Sequence, residues 1–471
     1  MTTPVPGRPE QADSPSGGTA QTVLVSMVAA LGGFLFGYDT AVINGAVAAV
    51  SETFRAGGFI LGLAVAAALL GSAVGAWFAG PLAGGIGRVR VMVIAAGLFL
   101  VSAIGSGLAF SVWDLALWRF IGGLGVGAAS VIAPAYIAEI SPAHMRGRLG
   151  SLQQLAIVSG IFVALLVDYA LVAAAGTATR ELWLGLDAWR WMFLSLLVPA
   201  LAYGTLALRI PESPRYLVAR ARLDEAGAVL RQYIGGDVDA KIRDIQRTLA
   251  SARRARLGDL RGPRLGLLPI VWVGILLSIF QQFVGINVIF YYSSVLWQAV
   301  GFSERDSLMI TVITSITNIV TTLIAIATID RIGRKPLLLI GSTGMLITLG
   351  TLAFTFGTAP IVHGRPALEG VMSPLALLAA NLFVVFFGLS WGPVVWVLLG
   401  EMFNNQIRAQ GIAVAAAAQW LANFAVSTTF PALQQIGLGF AYGLYTLFAL
   451  LSLIFVLLAV RETKGRELES M

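Results

Sequence analysis

The 471-residue sequence contains no cysteine, only two histidines and few charged side chains. The absence of cysteine excludes disulfide bridges, thiolate metal ligands and a cysteine nucleophile. His144 and His363 lie in predicted loops, so neither is expected to carry a proton within a span. Charged residues make up 12% of the chain and hydrophobic residues 57%, which leaves too little polar surface to cover a water-soluble protein of this length.

Long apolar runs take the place of the missing charge. Twelve windows have about 18 residues or more, the length that a helix needs to cross a hydrocarbon core of about 30 Å. The sequence therefore predicts an all-α membrane protein with twelve transmembrane helices. The predicted spans are 21–44, 58–80, 91–110, 112–137, 150–173, 189–209, 267–298, 307–329, 337–357, 374–400, 409–434 and 438–460.

The segments outside the spans divide the chain into predicted regions. Residues 1–20 are rich in Pro, Gly, Ser and Thr, so we expect a disordered cytoplasmic tail and not a cleaved signal peptide. Six-helix bundles are predicted over 21–210 and 265–460, and a cytoplasmic tail over 461–471. The polar linker over 211–264 is predicted to form short amphipathic helices. We interpret the linker as a solvated connector, with a regulatory or lipid-binding patch as the alternative.

Basic residues in the short loops predict the orientation, because cytoplasmic loops carry more Lys and Arg than external ones. One side carries Arg88, Arg90, Arg146, Arg148, Arg331, Arg334, Lys335 and Arg408. The other side carries Arg55, Arg180, Arg305 and Arg365. We therefore expect a multi-pass protein of the inner (plasma) membrane with both termini in the cytoplasm. The net charge of +7 is assigned to this bias, and no nucleic-acid partner is expected.

An internal repeat relates the two predicted bundles. Gly87-Arg88 matches Gly333-Arg334 at an offset of 246 residues, and Glu212-Ser213 matches Glu462-Thr463 at an offset of 250. The pattern predicts two pseudo-symmetric halves in parallel orientation around a central cavity, and rocking of such halves about a midplane site is a transport mechanism. Charged residues near the predicted cytoplasmic ends are candidate gating residues that pair in one state and separate in the other: Arg88, Glu139, Arg146, Asp330, Arg334, Glu401 and Arg408.

Three amides, Gln281, Gln282 and Asn287, lie within one apolar run. An unpaired amide in an apolar medium costs roughly 2–7 kcal/mol. On a continuous helix these amides form a broad polar wedge that Tyr291 extends with a ring and a hydroxyl. Neutral amides beside aromatic rings suit a neutral polyhydroxy ligand. The alternative is that the amides only bond neighbouring helices to each other.

Asp39 and Arg119 are predicted within the first and fourth spans. Asp39 lies about 27 Å from the inner end of its span and Arg119 about 10 Å from the outer end of its span, so their depths are compatible. An intramembrane charge costs on the order of 3 kcal/mol and is normally paired. This placement predicts an ion pair that is either a proton-coupling site or a static structural element. Asp168, near the outer end of span five, is expected to be a solvated or gating acid.

Several stretches together resemble the sugar porter family of the major facilitator superfamily. They are GFLFGYDTAVING (33–45), RFIGGLGVG (119–127), PAYIAEISPAHMRGR (134–148), PESPRYL (211–217), FQQFVGINVIFYYSS (280–294), DRIGRKP (330–336), WGPVVWVLLGEMF (391–403), QWLANF (419–424) and ETKGR (462–466). They cover both halves in the family's order. Within the family, the chain resembles bacterial proton-coupled xylose and glucose symporters.

The resemblance implies a set of site residues. Sugar hydroxyls are expected to be held by Gln154, Gln281, Gln282, Asn287, Asn318, Trp396 and Gln419. Further lining positions are Phe36, Tyr291, Phe387, Gly392 and Trp420. The resemblance also favours proton coupling through Asp39 and Arg119, because the symporters it resembles carry this acid and facilitators generally lack it.

The expected function follows from the resemblance. The protein is expected to import a monosaccharide, a hexose or pentose of glucose-like character, by proton symport and alternating access. No enzymatic activity, metal or cofactor other than the coupling proton is expected, and the protein is expected to work as a monomer in the lipid bilayer. A sugar uniporter is the first alternative, and a transporter-like sugar sensor is the second.

The chain departs from the family pattern at a few positions. Gly84 and Gly85 stand where the loop after span two usually has Asp-Arg, so the first-half gating cluster lacks a carboxylate. Arg461 replaces a proline, which is a minor change. Leu196 occupies the place of a span-six carboxylate found in some proton-coupled members, so coupling has to rest on other acids. Ile161 replaces an amide of some xylose-binding relatives, which favours a hexose.

Overall fold

A computed structural model gives the fold of residues 18–142, 145–251, 257–263, 265–362, 365–366, 368–403 and 407–464. His144, His363 and residues 1–17 of the predicted tail lie outside the described residues, whereas residues 18–20 already belong to the first helix. The side chains of three predicted gating residues also lie outside the description: Arg146, Asp330 and Arg408.

Twelve helical stretches among the described residues are long and apolar enough to cross a membrane. This finding confirms the predicted all-α membrane fold with twelve spans. The stretches are Thr19–Phe54, Gly58–Ile86, Arg88–Gly107, Val112–Ile140, Leu152–Ala175, Ala188–Ala207, Pro269–Tyr291, Glu304–Ile329, Arg334–Thr358, Met372–Met402, Gln410–Ile436 and Leu438–Ala459.

The first half of the chain is helical except for one short hairpin. Its helices are α1 (Gly18–Ala41), α2 (Ile43–Phe54), α3 (Gly58–Ile86), α4 (Arg88–Gly107), α5 (Val112–Ile140), α6 (Arg146–Ala175), α7 (Ala188–Ser195) and α8 (Leu197–Ala207). Strands β1 (Glu181–Trp183) and β2 (Leu186–Asp187) pair antiparallel between α6 and α7. Ser111 caps α5, because its hydroxyl accepts the main-chain N–H of Asp114 at 3.1 Å.

Short helices lie between the two halves. They are α9 (Pro214–Ala219), α10 (Leu223–Tyr233) and α11 (Val238–Ser251), followed by a 3-10 turn over Leu257–Leu260. Leu217, Val218 and Ala226 form a small core of their own. The Thr22 hydroxyl of α1 donates to the Tyr233 carbonyl oxygen at 2.9 Å, which attaches these helices to the first half.

The second half repeats the pattern of long spans. Its helices are α12 (Pro269–Phe283), α13 (Ile286–Tyr291), α14 (Ser293–Ala299), α15 (Glu304–Ile332), α16 (Arg334–Thr358), α17 (Met372–Leu389), α18 (Trp391–Met402), α19 (Arg408–Ile436) and α20 (Leu438–Ala459). Strands β3 (Ile361–Val362) and β4 (Arg365–Pro366) form a short antiparallel pair between α16 and α17.

Several spans consist of two or more helices separated by short breaks. The breaks lie at Val42, Leu196, Gly285, Tyr292 and Ser390. The predicted first span, 21–44, is too short, because α2 continues the stretch to Phe54. The polar residues of α2 end the hydropathy window early, although the helical stretch continues.

The two halves meet at one side of the bundle. We call the side with the start of α1 and the end of α20 the terminal side, and the other the opposite side. On the opposite side, Asn44 Nδ2 donates to the Phe290 carbonyl oxygen at 3.0 Å, and the Ser294 main-chain N–H donates to Asn44 Oδ1 at 3.1 Å. We call these three residues the opposite-side gate. The Ala178 main-chain N–H also donates to the Glu304 carboxylate at 3.3 Å.

Glycines bring α1 and α6 into backbone contact. A Cβ atom at Gly37 would overlap the Ile157 carbonyl oxygen, and one at Gly160 would overlap that of Phe34. Small residues of this kind allow helices in a membrane to approach closely. The backbone of α1 around Gly37 is therefore packed directly against α6.

Candidate functional site

The three predicted amides are gathered by a helix break. Gly285 has a φ of +84°, in the left-handed region that favours glycine, and a Cβ atom there would lie 2.9 Å from the Tyr445 ring. Asn287 Nδ2 donates to Gln282 Oε1 at 2.5 Å, and Gln282 Nε2 donates to Gln281 Oε1 at 3.2 Å. We call this series the amide chain. The predicted wedge on a continuous helix is wrong, because Gly285 separates α12 from α13.

The amide chain continues to a second helix break. Gln281 Nε2 donates to the carbonyl oxygens of Trp391 at 2.8 Å and Gly392 at 3.3 Å. Both carbonyls lie just after the break at Ser390. A Cβ atom at Gly392 would lie 3.4 Å from the Phe387 ring. Phe387 and Gly392, two predicted lining residues, therefore lie beside the amide chain.

Aromatic residues connect the two halves near this region. The rings of Phe36 in α1 and Trp420 in α19 have centroids 5.8 Å apart. Next to Trp420, Gln419 has a buried Oε1 atom without a hydrogen-bond partner. The Trp396 ring is 44% exposed, whereas Trp391 is fully buried. An unpaired buried acceptor such as Gln419 Oε1 is a group that a ligand hydroxyl would satisfy.

Two further predicted sugar ligands lie on other helices. Gln154 in α6 is partly buried, and Asn318 in α15 is buried with its Oδ1 close to Gly388. Among the described residues, no hydrogen bond joins the Gln154 or Asn318 side chain to the amide chain. The same holds for the ring of Trp396. The sugar-binding roles of all these residues stay predictions.

Asp39 and Arg119 form a buried ion pair. Arg119 Nη1 lies 3.0 Å from Asp39 Oδ1, and each side chain is 2% exposed. The same Nη1 donates to the main-chain oxygen of Asp39 at 2.8 Å. Asp39 Oδ2 and Arg119 Nε have no hydrogen-bond partner. A buried ion pair with unpaired atoms adds little stability, which is a physical argument for a functional role. Its role in proton coupling stays a prediction.

Tyr291 lies one helical turn after Asn287 of the amide chain and close to this ion pair. It follows Asn287 by four residues in α13, and its hydroxyl lies close to the Asn423 side chain. Asp39 and Arg119 are near enough for their charges to act on the Tyr291 hydroxyl. The predicted sugar ligands of the second half therefore adjoin the charged pair of the first half.

A second carboxylate is buried in the first half. Asp168 in α6 is fully buried, its Oδ2 accepts the Gly45 main-chain N–H at 3.2 Å, and its Oδ1 has no hydrogen-bond partner. The prediction of a solvated acid is wrong, because α2 continues past Gly45 and helps to cover this part of α6. A gating role for Asp168 stays a prediction.

A charged cluster closes the terminal side of the first half. Arg88 donates to the Glu139 carboxylate from Nε at 3.0 Å and from Nη2 at 2.9 Å, and the Ser213 hydroxyl donates to the same carboxylate. Glu212 accepts the main-chain N–H groups of Arg88 at 3.0 Å and Val89 at 3.2 Å. An anion at this position is favourable, because it lies at the N-terminus of α4.

The second half contains a matching cluster. Arg334 donates to Glu401 at 3.0 and 2.7 Å, and the Thr463 hydroxyl donates to Glu401 at 2.5 Å. Glu462 accepts the main-chain N–H groups of Arg334 at 3.1 Å and Lys335 at 2.9 Å. Burial opposes ionisation of Glu462, but these backbone donors prevail and lower the pKa of its carboxyl group below the ordinary value.

The gating glutamates pair within their own halves in this structure. Glu139 binds Arg88 and Glu401 binds Arg334, whereas the side chains of the other predicted partners, Arg146 and Arg408, lie outside the described residues. The clusters therefore hold each half together on the terminal side. Their role in switching between states stays a prediction.

The sequence profile of the family described as "Sugar (and other) transporter" matches residues 25–471. This chain belongs to the sugar transporter family. The transporter is 60% identical over 463 residues to the "Glucose transport protein" of Synechocystis sp. (strain ATCC 27184 / PCC 6803 / Kazusa), with 97% of this chain and 99% of the relative covered. It is 38% identical over 483 residues to the "D-xylose-proton symporter" of Escherichia coli (strain K12), with 95% and 94% covered. The protein is therefore a transporter and not an enzyme, as predicted.

Solved structures extend the likeness to the whole fold. The inward open conformation of the xylose transporter XylE from E. coli matches with a TM-score of 0.80 and 37% identity, over 95% of this chain and 98% of that one. XylE bound to 6-bromo-6-deoxy-D-glucose, described as a major facilitator superfamily proton:xylose symporter, matches with a TM-score of 0.77 and 36% identity, over 96% and 98%. These matches confirm the predicted superfamily fold of the transporter.

Some polar residues of the transporter were missed by sequence reasoning. Gln153 in α6 is buried against Gly33, and neither atom of its amide has a hydrogen-bond partner. Asn423 in α19 is buried beside Tyr291 and accepts from the Ser427 hydroxyl at 3.1 Å. Both are amides inside apolar runs, which is the signal that singled out Gln281 and would have found them too.

Proposed function

We propose that this transporter imports a monosaccharide together with a proton by alternating access. The observation that carries the proposal is the buried carboxylate–guanidinium pair of one half together with the chain of neutral amides in the other, with Tyr291 close to the pair and one helical turn after Asn287. A relative named as a glucose transport protein at 60% identity and one named as a D-xylose-proton symporter at 38% identity support it. A glucose-like hexose is the proposed substrate.

Asp39 is the proposed proton acceptor. Its Oδ2 has no hydrogen-bond partner and is free to take a proton, while Oδ1 faces Arg119. Protonation removes the charge that Arg119 neutralises, but the bond from Arg119 Nη1 to the Asp39 main-chain oxygen does not depend on that charge. Arg119 therefore stays in place while the attraction between α1 and α5 weakens. Deprotonation restores the pair and resets the transporter.

The amide chain is the proposed sugar site. An amide carries two N–H donors and one acceptor oxygen, so it exchanges hydrogen bonds with sugar hydroxyls in either direction. In this structure Asn287, Gln282 and Gln281 bond to one another, which keeps them paired when no sugar is bound. Sugar hydroxyls would replace these bonds. The rings of Phe36, Trp420 and Phe387 would cover the apolar faces of the sugar.

We assign the terminal side to the cytoplasm and the opposite side to the exterior of the plasma membrane. The basic residues Arg88, Arg331 and Lys335 on the terminal side support this orientation. The opposite-side gate is then the outer gate, and its hydrogen bonds close it in this structure. Exposed apolar side chains such as Phe78 and Leu458 would face lipid. The proposed working unit is a monomer.

Sugar uptake into proteoliposomes tests the proposal. With an acidic exterior, the purified transporter should concentrate glucose above its external level and acidify the lumen only when sugar is present. A uniporter, the alternative that Leu196 in place of a span-six acid favours, would equilibrate glucose and move no protons. Sugar uptake with the same kinetics with and without the pH gradient would contradict symport. Xylose and arabinose in the same assay define the substrate range.

A further inference from the structure

Asp168 is a buried carboxylate that the proton pathway proposed through Asp39 does not use. It lies directly against the main chain of α2. A Cβ atom at Gly45 would lie 2.7 Å from Asp168 Cβ and 2.8 Å from its Oδ2, so only glycine allows this approach. The Gly45 N–H donates to Oδ2 at 3.2 Å. The carboxyl group is therefore in direct contact with the α2 backbone, and any shift of that backbone changes this contact.

Gly45 directly follows the gate residue Asn44. The Ser294 hydroxyl donates to the Asn44 main-chain oxygen at 2.5 Å, in addition to the two gate bonds that the Asn44 side chain makes. Any separation of α2 from α13 and α14 has to break these three hydrogen bonds of Asn44. Opening of the outer gate therefore releases from the second half the α2 segment that lies against Asp168.

Asp168 has no countercharge among the described residues. Several titratable and charged groups on the elements packed against α6 have other neighbours. These are Tyr38 with Ser195, Asp39 with Arg119, Arg190 with the carbonyls of Gly107 and Ala109, Arg305 with Tyr169, Asp306 with Ser303, Glu304 with Ala178, Glu181 with Gly185, and Glu52 at the exposed end of α2. Tyr38 is close enough to interact with Asp168 but is neutral in its protonated form.

An ionised carboxylate in this place would have a single N–H donor and no cation. Burying such a charge costs far more than burying a neutral acid, which is why isolated buried carboxylates take up a proton. When the gate opens and water reaches Oδ1, the charged form is solvated and this cost disappears. The closed and open gates therefore prefer different protonation states.

We propose that Asp168 is a second proton-binding site, which takes up a proton from the outer solution as the outer gate closes. On opening, the Oδ1–H bond breaks, the proton passes to an entering water molecule, and a hydrated carboxylate remains. On closing, the proton returns and the neutral acid is buried against Gly45. Acidic external pH then favours the closed outer gate, independently of Asp39, which has its own partner in Arg119.

Thiol labelling measures gate opening without transport. The chain has no cysteine, so the Ser294→Cys variant carries a single thiol, at a position that is buried in the closed gate. The full-length protein is labelled in detergent micelles between pH 6 and pH 8, with Asp39→Asn added so that the coupling acid cannot titrate. The Leu184→Cys variant, whose thiol replaces an 88% exposed side chain in the β1–β2 turn, corrects for thiol ionisation.

The corrected labelling rate at Ser294→Cys should rise with pH. The rise should approach tenfold per pH unit where opening releases one proton. Adding Asp168→Asn, which keeps an acceptor for Gly45 but cannot ionise, should abolish the rise. Glu304→Gln is the matched control, because it removes another carboxylate beside the gate and should leave the rise unchanged.

Three outcomes overturn the proposal. The first is a corrected labelling rate that does not depend on pH in the protein with Asp168 intact. This outcome counts whether or not the Asp168→Asn variant folds. The second is a rise that survives Asp168→Asn. Loss of the rise only in Glu304→Gln assigns the proton to Glu304 instead. The inference rests on the alternating access proposed above, but that function is tested by uptake, so failure of either is distinguishable from failure of the other.

Discussion

The two halves of the transporter bury polar groups of different kinds. The first half buries two carboxylates, Asp39 and Asp168, and one guanidinium group, Arg119. In the second half, the buried polar side chains of the spans are amides and hydroxyls, among them Gln281 and Gln282, together with the guanidinium group of Arg334 at the start of α16, and none of those described is a carboxylate. One half thus buries carboxyl groups, which gain or lose a proton, and the other buries mainly amides and hydroxyls, which do not.

In the proposed function, this difference separates proton binding from sugar binding. An amide does not titrate, so the affinity of the amide chain for hydroxyls is insensitive to pH by itself. Coupling then requires contact between the halves, and Tyr291 and the Phe36–Trp420 ring contact supply it. In such an arrangement the proton changes how the halves meet and leaves the sugar ligands intact. Substitutions in the two halves should therefore have effects of different kinds.

The largest effect is expected from Asp39→Asn. The change keeps the shape of the side chain but removes its ability to gain or lose a proton. Accumulation of sugar against its gradient should be abolished, while sugar binding and exchange down a gradient persist. The measurement is sugar uptake and sugar-dependent proton flux in proteoliposomes. Accumulation by the variant would show that the two halves do not divide the work in this way.

A smaller effect is expected from Gln282→Ala and Asn287→Ala. Each removes neutral hydrogen bonds worth about 0.5–1.5 kcal/mol to the ligand, which corresponds to roughly 2- to 13-fold weaker sugar binding. Isothermal titration of the purified protein measures this. Asn381→Ala is the matched control, because Asn381 already bonds to Leu377 and Thr314. Unchanged affinity in both site variants would remove the amide chain from the sugar site.

The smallest effect is expected from the charged clusters of the terminal side. Glu401→Gln removes a carboxylate that, by the gating prediction, also holds the terminal ends of the two halves together in the outward-open state. A partly exposed ion pair is worth about 0.2–1 kcal/mol, so its loss should raise the population of inward-open molecules by up to roughly fivefold. Glu139→Gln should have less effect, because Gly84 has already removed a carboxylate from the first-half cluster. Labelling of single thiols on the terminal side compares the two variants. Equal or reversed effects would contradict the asymmetry.

The sequence predicted the spans and their number well, because the length of an apolar run reports directly on membrane crossing. It also singled out Asp39 and Arg119, since charges are conspicuous in such runs. It did not predict the break at Gly285 between α12 and α13, because a glycine inside a helix and one in a left-handed break look alike in a sequence. Nor did it predict the burial of Asp168, which depends on how far α2 extends beyond the first apolar window.

The hydrogen bonds within the amide chain have a consequence for selectivity. At the proposed sugar site, Asn287 already donates to Gln282 and Gln282 to Gln281, so a ligand that displaces these two bonds gains only the difference between its own bonds and those. A deoxy sugar that separates the amides without offering a hydroxyl leaves buried donors and acceptors unpaired, and such sites reject analogues of this kind strongly. The proposed sugar site should therefore favour a ligand whose hydroxyl groups replace each amide–amide hydrogen bond that binding breaks.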